Sequence, residues 1–331
     1  MAEITLNQNF RNTELDGCKF LLMCLVVIGH CIEPSRYVIK LSGHLYSCIY
    51  LFHMPLFVIL SGYFTKEGTT FSKLLKSSVG LLESYFFVTI FIIFLVTKDV
   101  NNLLAPALST WYLLSLIFWR CLVWFLGGGG SHKKLLIISV ISSAVVFALP
   151  FDFDKDILAV NRTLQFFPFF CLGHFLRTID TGFLKSTRVR SALILLSIIL
   201  LIMIGLFDSR VLHLLCFRRS GLLSIAKEMH LEPANILLLK SYVEISGVVI
   251  SLCVLSLSEF FKQFAFWGKD TMTIFIVQAL LTHLITYKIP VSIYLELALS
   301  VVVIIAGVLV SNKGYGKLLR NPFSSFIKSR I

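Results

Sequence analysis

About ten apolar runs, each near the length of a bilayer span, follow one another along 331 residues with short polar stretches between them. A spanning α-helix needs about 20 mostly apolar residues, and it satisfies its own backbone polar groups, so helices are the expected form. The runs are 16–32, 45–64, 74–97, 108–126, 135–150, 157–176, 191–207, 236–257, 266–287 and 291–310. The fifth is short, and the sixth contains Arg162 and Pro168. With 57% hydrophobic and 15% charged residues and a mean hydropathy of +0.86, the chain reads as an all-α integral membrane protein, its residues 1–331 forming one domain. No soluble domain and no internal repeat is visible, and the missing inverted repeat argues against the commonest secondary-transporter designs.

The net charge of +12 does not point to nucleic acid, because the basic residues fall in short runs between apolar segments, the pattern of membrane topology. A cytoplasmic N-terminus puts Lys66, Lys73, Lys133, Lys134 and Lys185 inside, with the tail residues Lys313, Lys317, Arg320, Lys328 and Arg330. An even number of spans then leaves both termini in the cytoplasm, and the expected location is the inner (plasma) membrane. The acidic loop of Asp152, Asp154 and Asp156 falls outside. So does the long stretch 208–234, which reads as an interfacial helix or a polar lid.

Eight cysteines stand singly, without CxxC or zinc-ligand spacing, and read as small buried hydrophobes. Neither a disulfide framework nor a metal site is expected. The first dozen residues lack the features of a signal peptide, so the first helix is expected to remain as an anchor. The glycine run 127–130 lacks Walker spacing and follows a span instead of a strand, which makes it a flexible turn.

Against this background the ionisable residues stand out, since at bilayer depth they are costly and tend to mark function. The segment FHMPLFVILSGYF places His53 and the helix-bending Pro55 deep in the second span. In the first span Lys19 and His30 are eleven residues apart, about 16 Å and about three turns of helix, so they share a face at different depths. His53, on the returning helix, reaches a depth comparable with His30. Two imidazoles near one cavity suit proton exchange with a hydroxyl; the plainer alternative is a hydrogen bond from each across helices. Ser61 and Gly62 suit close helix packing or the wall of a donor channel. Trp111 and Tyr112 suit an aromatic belt or contact with an acceptor. Arg162, on a helix that Pro168 bends, suits a sugar hydroxyl, a charged acceptor or snorkelling to headgroups. His174 reads as interfacial. Lys269 and Asp270 read as surface charge or donor-phosphate contacts, and Gln278 and His283 as a polar trace or interhelical hydrogen bonds.

Two segments, ELDGCKFLLMCLVVIGH from Glu14 and FHMPLFVILSGYF, resemble the membrane acyltransferase-3 family, and within it the fucose 4-O-acetylase-like branch. Lys19 and His30 fit the family's Arg/Lys-x10-His motif, with weaker echoes in TWYLLSL at Thr110, RTLQFFPFFCLGH at Arg162 and WGKDTMTIFIVQ at Trp267. The resemblance implies transfer of an acyl group, usually acetyl, from cytoplasmic acyl-CoA to a sugar hydroxyl of a cell-surface or exported polysaccharide, free or lipid-linked. It makes His30 the main catalytic histidine, as general base or transient acyl carrier, with His53 in support and Lys19 at the CoA end. Lys19 replaces the commoner arginine, which weakens bidentate phosphate recognition, and Gln278 stands where a histidine is frequent. The alternative is a multi-span transporter or flippase for a glycan or lipid-linked sugar, which leaves the spacing of Lys19 and His30 unexplained.

Overall fold

The computed structural model describes residues 12–66, 68–98, 100–106, 108–126, 131–149, 157–312 and 319. The first eleven residues, the glycine run 127–130, the acidic Asp152, Asp154 and Asp156, and the basic tail with Lys313, Lys317, Arg320, Lys328 and Arg330 lie outside them. Among the described residues the regular structure is helical throughout. The α-helices are α1 (Thr13–Cys31), α2 (Lys40–Tyr63), α3 (Phe71–Ile92), α4 (Trp111–Leu126), α5 (His132–Ala148), α6 (Val160–Leu176), α7 (Thr187–Met203), α8 (Ser209–Phe217), α9 (Leu222–Met229), α10 (Pro233–Ser256), α11 (Thr271–Ile285) and α12 (Ile293–Asn312).

A helix stands in each apolar run, α1 to α7 and α10 to α12. Five are long and apolar enough to cross a membrane: 40–63, 71–95, 187–206, 233–256 and 293–312. The apolar α4 is shorter, at 16 residues. Among the rest, α5, α6 and α11 have 15 to 17 residues, below the roughly 20 that a straight crossing uses. The helix α1 carries Glu14, Asp16 and Lys19 near its start. Large apolar side chains such as Phe94 and Ile202 point outward, as lipid contact requires.

Local sequence explains where the helices begin. The Asn12 side chain accepts from the Leu15 amide at 3.1 Å, and Glu14 and Asp16 fall in the first turn, where acidic groups complement the helix dipole. The Asp270 carboxylate caps α11 in the same way, accepting from the Thr273 amide at 3.4 Å and also from its hydroxyl at 2.7 Å. In α2, Pro55 has no amide to offer the Leu51 carbonyl. Gly247 of α10 packs against both residues.

The stretch 208–234 folds into the short helices α8 and α9, and a buried ionic cluster fastens α8. Arg218 follows it in a left-handed conformation, its side chain fully buried, with a guanidinium nitrogen 3.2 Å from Glu244 and its plane over Phe166. Glu244 also meets Lys240 at 2.7 Å, and Lys240 donates to the Gln165 side chain at 3.0 Å. Glu244→Ala leaves two cations facing each other without their carboxylate. It is expected to cost about 2 kcal/mol, less than breaking a fully buried pair, because Glu244 keeps some solvent contact. A lowered thermal unfolding midpoint in detergent checks this; an unchanged midpoint counts against it.

Candidate active site

One cavity of about 200 Å³ collects side chains from α1, α2, α4, α6, α8 and α11. Of the residues singled out in the sequence, His30, His53, Trp111, Tyr112 and Arg162 line it. Lys19 does not. Its ammonium lies 3.1 Å from Asp16 and 3.6 Å from the centre of the Phe64 ring, about three helical turns from His30.

His53 is 2% exposed, and its Nδ1 stands 2.8 Å from the Ile49 carbonyl one turn back. A carbonyl only accepts, so Nδ1 carries the proton and Nε2 of the neutral ring keeps its lone pair. Tyr50 meets this ring edge-on at 4.6 Å. His30 sits in the last turn of α1, its Nδ1 3.5 Å from Glu33 Oε2, its ring 6.1 Å from that of His283. Glu33 is held from the other side by Arg36, at 3.1 Å to Oε1 and 2.8 Å to the Glu33 carbonyl. Burial works to raise the pKa of Glu33, but the hydrogen bond with His30 and the charge of Arg36 outweigh it and hold the carboxyl below its ordinary range. The loop that carries this group is fixed at Ser35, which donates to the Ile32 carbonyl at 3.1 Å and to Glu296 of α12.

The opposite wall is aromatic. Trp111 stacks on Phe166 at 5.1 Å and faces the Arg162 guanidinium at 5.2 Å. Arg162 stands at the start of α6 just after Leu158 and Ala159, both left-handed, and the Asn161 side chain donates to the Arg219 carbonyl at 2.8 Å. Flat aromatic faces beside a guanidinium can hold a sugar ring and its oxygens.

A second, larger cavity, about 630 Å³, opens at the other ends of α2, α4 and α6. Lys66, Lys73, Arg120, His132 and His174 line it, and no carboxylate does among the described residues. His174, expected at an interface, is buried, with its ring 5.2 Å from that of His132. Phe64, beneath Lys19, forms part of the same wall. The cavities share three helices: Phe57 on α2 and Phe64 just past its end, Tyr112 and Arg120 on α4, Phe166 and His174 on α6. The seven or eight residues between the members of each pair amount to about 10–12 Å of helix. Between them Ser61 and the Tyr112 hydroxyl meet at 2.5 Å, and the Trp119 indole donates to the Thr163 carbonyl at 2.7 Å.

Lys269, which lies over Phe266, and the capping Asp270 line neither cavity. Gln278 reaches Ser109 at 3.5 Å from a fully buried position. Glu33, Arg36 and Arg120 were not legible as site residues, although two signals existed. Glu33 falls one turn after His30, and Arg120 interrupts the apolar run WYLLSLIFWRCLVWFL.

The acyltransferase domain of the acyltransferase-3 family matches residues 12–311. Nodulation protein NolL of Mesorhizobium japonicum is 31% identical over 190 residues, which is 50% of this chain and 48% of that protein. The chain thus spans about half the length of the curated relative it matches. No solved structure matches it. With the match running through nearly every helix described above, the chain belongs to the acyltransferase-3 family.

Proposed function

We propose that the protein is a membrane O-acyltransferase that moves an acetyl group from cytoplasmic acetyl-CoA to a sugar hydroxyl of an envelope or exported glycan. The observation that carries this reading is the pair of cavities on shared helices, one basic and one holding two histidines against an aromatic wall. With ten spans and both termini in the cytoplasm of a cell bounded by the inner membrane, the basic cavity opens inward and the histidine cavity outward. Lys66, Lys73 and Arg120 take the donor's phosphates. The acyl arm extends along α2 and α4 toward His30, displacing the contact between Ser61 and Tyr112. The acceptor sugar lies against Trp111 and Arg162.

His30 acts as general base. Its Nε2 takes the proton of the acceptor hydroxyl while the oxygen attacks the thioester carbonyl. The new C–O bond forms as the C–S bond breaks, and the departing thiolate receives the proton from His30. His53 presents its own Nε2 lone pair to the same space. The resemblance of the first two segments to the fucose 4-O-acetylase-like branch favours acetyl over longer groups.

Release of free CoA thiol by the purified protein, in step with added glycan, tests the reading. In that assay Arg120→Gln is expected to raise the KM for acetyl-CoA about tenfold, the loss of one charge-assisted contact. Lys19→Gln is expected to raise it only about twofold, since Lys19 faces Asp16 and Phe64 and not the cavity itself. Equal effects would return Lys19 to the donor site. Thiol release that ignores the glycan would count against acyl transfer.

A further inference from the structure

We infer that Glu33 is a positioning residue for the transfer: its carboxylate fixes the His30 ring with Nδ1–H inward and Nε2 toward the acceptor, and Arg36 fixes the carboxylate. This rests on the reading of His30 as the base. Three features of the structure support it. First, Glu33 approaches Nδ1 at 3.5 Å from two residues beyond the helix end, so the other ring nitrogen, Nε2, is left to the cavity that both residues line. Second, Glu33 cannot swing away freely, because Arg36 grips one carboxylate oxygen and the backbone carbonyl of the same residue. Third, Arg36 is itself boxed by the rings of Tyr37, Tyr46 and Phe217, and the loop is pinned to α12 through Ser35.

The charged and titratable groups facing Glu33 are His30 of α1, Arg36 of its own loop, Tyr46 of α2, His213 of α8 and His283 of α11. Glu33 is the one carboxylate on the wall of the histidine cavity among the described residues. During transfer the proton taken by Nε2 makes His30 an imidazolium. The carboxylate, already aligned on Nδ1–H, stabilises that cation until the thiolate recovers the proton, so no net charge is left on the site. A base whose tautomer and angle are set before the acceptor arrives loses less to misorientation.

The test compares wild type with Glu33→Gln, Glu33→Asp and His30→Ala, using detergent-solubilised protein, acetyl-CoA and envelope glycan. Glu33→Gln, which keeps the shape and removes the charge, is expected to lower kcat about 100-fold and leave both KM values within about twofold. Glu33→Asp, with a shorter carboxylate, is expected to recover about tenfold of that loss, a rescue that a purely structural role would not give. Arg36→Gln gives a further reading should Glu33→Gln fail to fold, with an expected kcat loss of about tenfold. Wild-type kcat in Glu33→Gln, or a raised acceptor KM with kcat held, overturns the proposal. Full activity in His30→Ala overturns the reading beneath it instead.

Discussion

His30→Ala is expected to lower acyl transfer by about 1,000-fold while the protein inserts and unfolds as the wild type does. A positioned base is typically worth 10²–10⁴ in rate. His53 does not take its place with the same support, because it hydrogen-bonds the backbone of its own helix and no carboxylate partners it among the described residues. The fold should tolerate the change. His30 lies in the last turn of α1, only partly buried and facing a cavity, so its removal enlarges a space that already exists instead of opening a new one in packed core. The measurement is thiol release at saturating donor and acceptor, beside the thermal midpoint. A variant within tenfold of wild type would place the chemistry elsewhere, with His53 the first residue to examine.

Gly173→Ala is expected to cost about 3 kcal/mol and to remove both activity and the cooperative thermal transition. A Cβ there would stand 1.8 Å from the Ile59 carbonyl oxygen, and one on Gly62 would stand 2.0 Å from the Phe170 carbonyl oxygen. Both obstacles are helix backbone and cannot rotate away. The reciprocal pair brings α2 and α6 together at glycine contact, the way membrane helices gain packing where hydrophobic burial adds little. Since these two helices carry His53, Arg162 and walls of both cavities, parting them disorders the whole site. Folded, active Gly173→Ala protein would show that the helices can separate without harm.

Helix positions were legible because a span must be apolar over its length, and hydropathy records that directly. The convergence of His30 with His53 was also legible, from two consecutive antiparallel helices and a rise of about 1.5 Å per residue. The basic cavity was not. Lys66 and Lys73, Arg120, His132 and His174 come from four separate stretches, and those at helix ends follow the same pattern that topology alone produces. Lys19 shows the limit of reading a face from periodicity. It shares a face with His30, yet Asp16 one turn before it and Phe64 across from it claim its ammonium. The roles of Ser61 and Gly62 depend on which helix lies opposite. The structure puts α6 against Gly62 and Tyr112 against Ser61, so the first is a packing contact and the second stands between the cavities.

Acetyl transfer through His30 can be followed by tracing an acetyl label from acetyl-CoA to envelope glycan in membranes carrying wild-type chain or His30→Ala at matched expression. Base-labile label is expected on the glycan with the wild type and none above background with His30→Ala. Label transferred equally by both would remove His30 from the chemistry, and no label from the wild type with donor and acceptor supplied would contradict acetyl transfer itself.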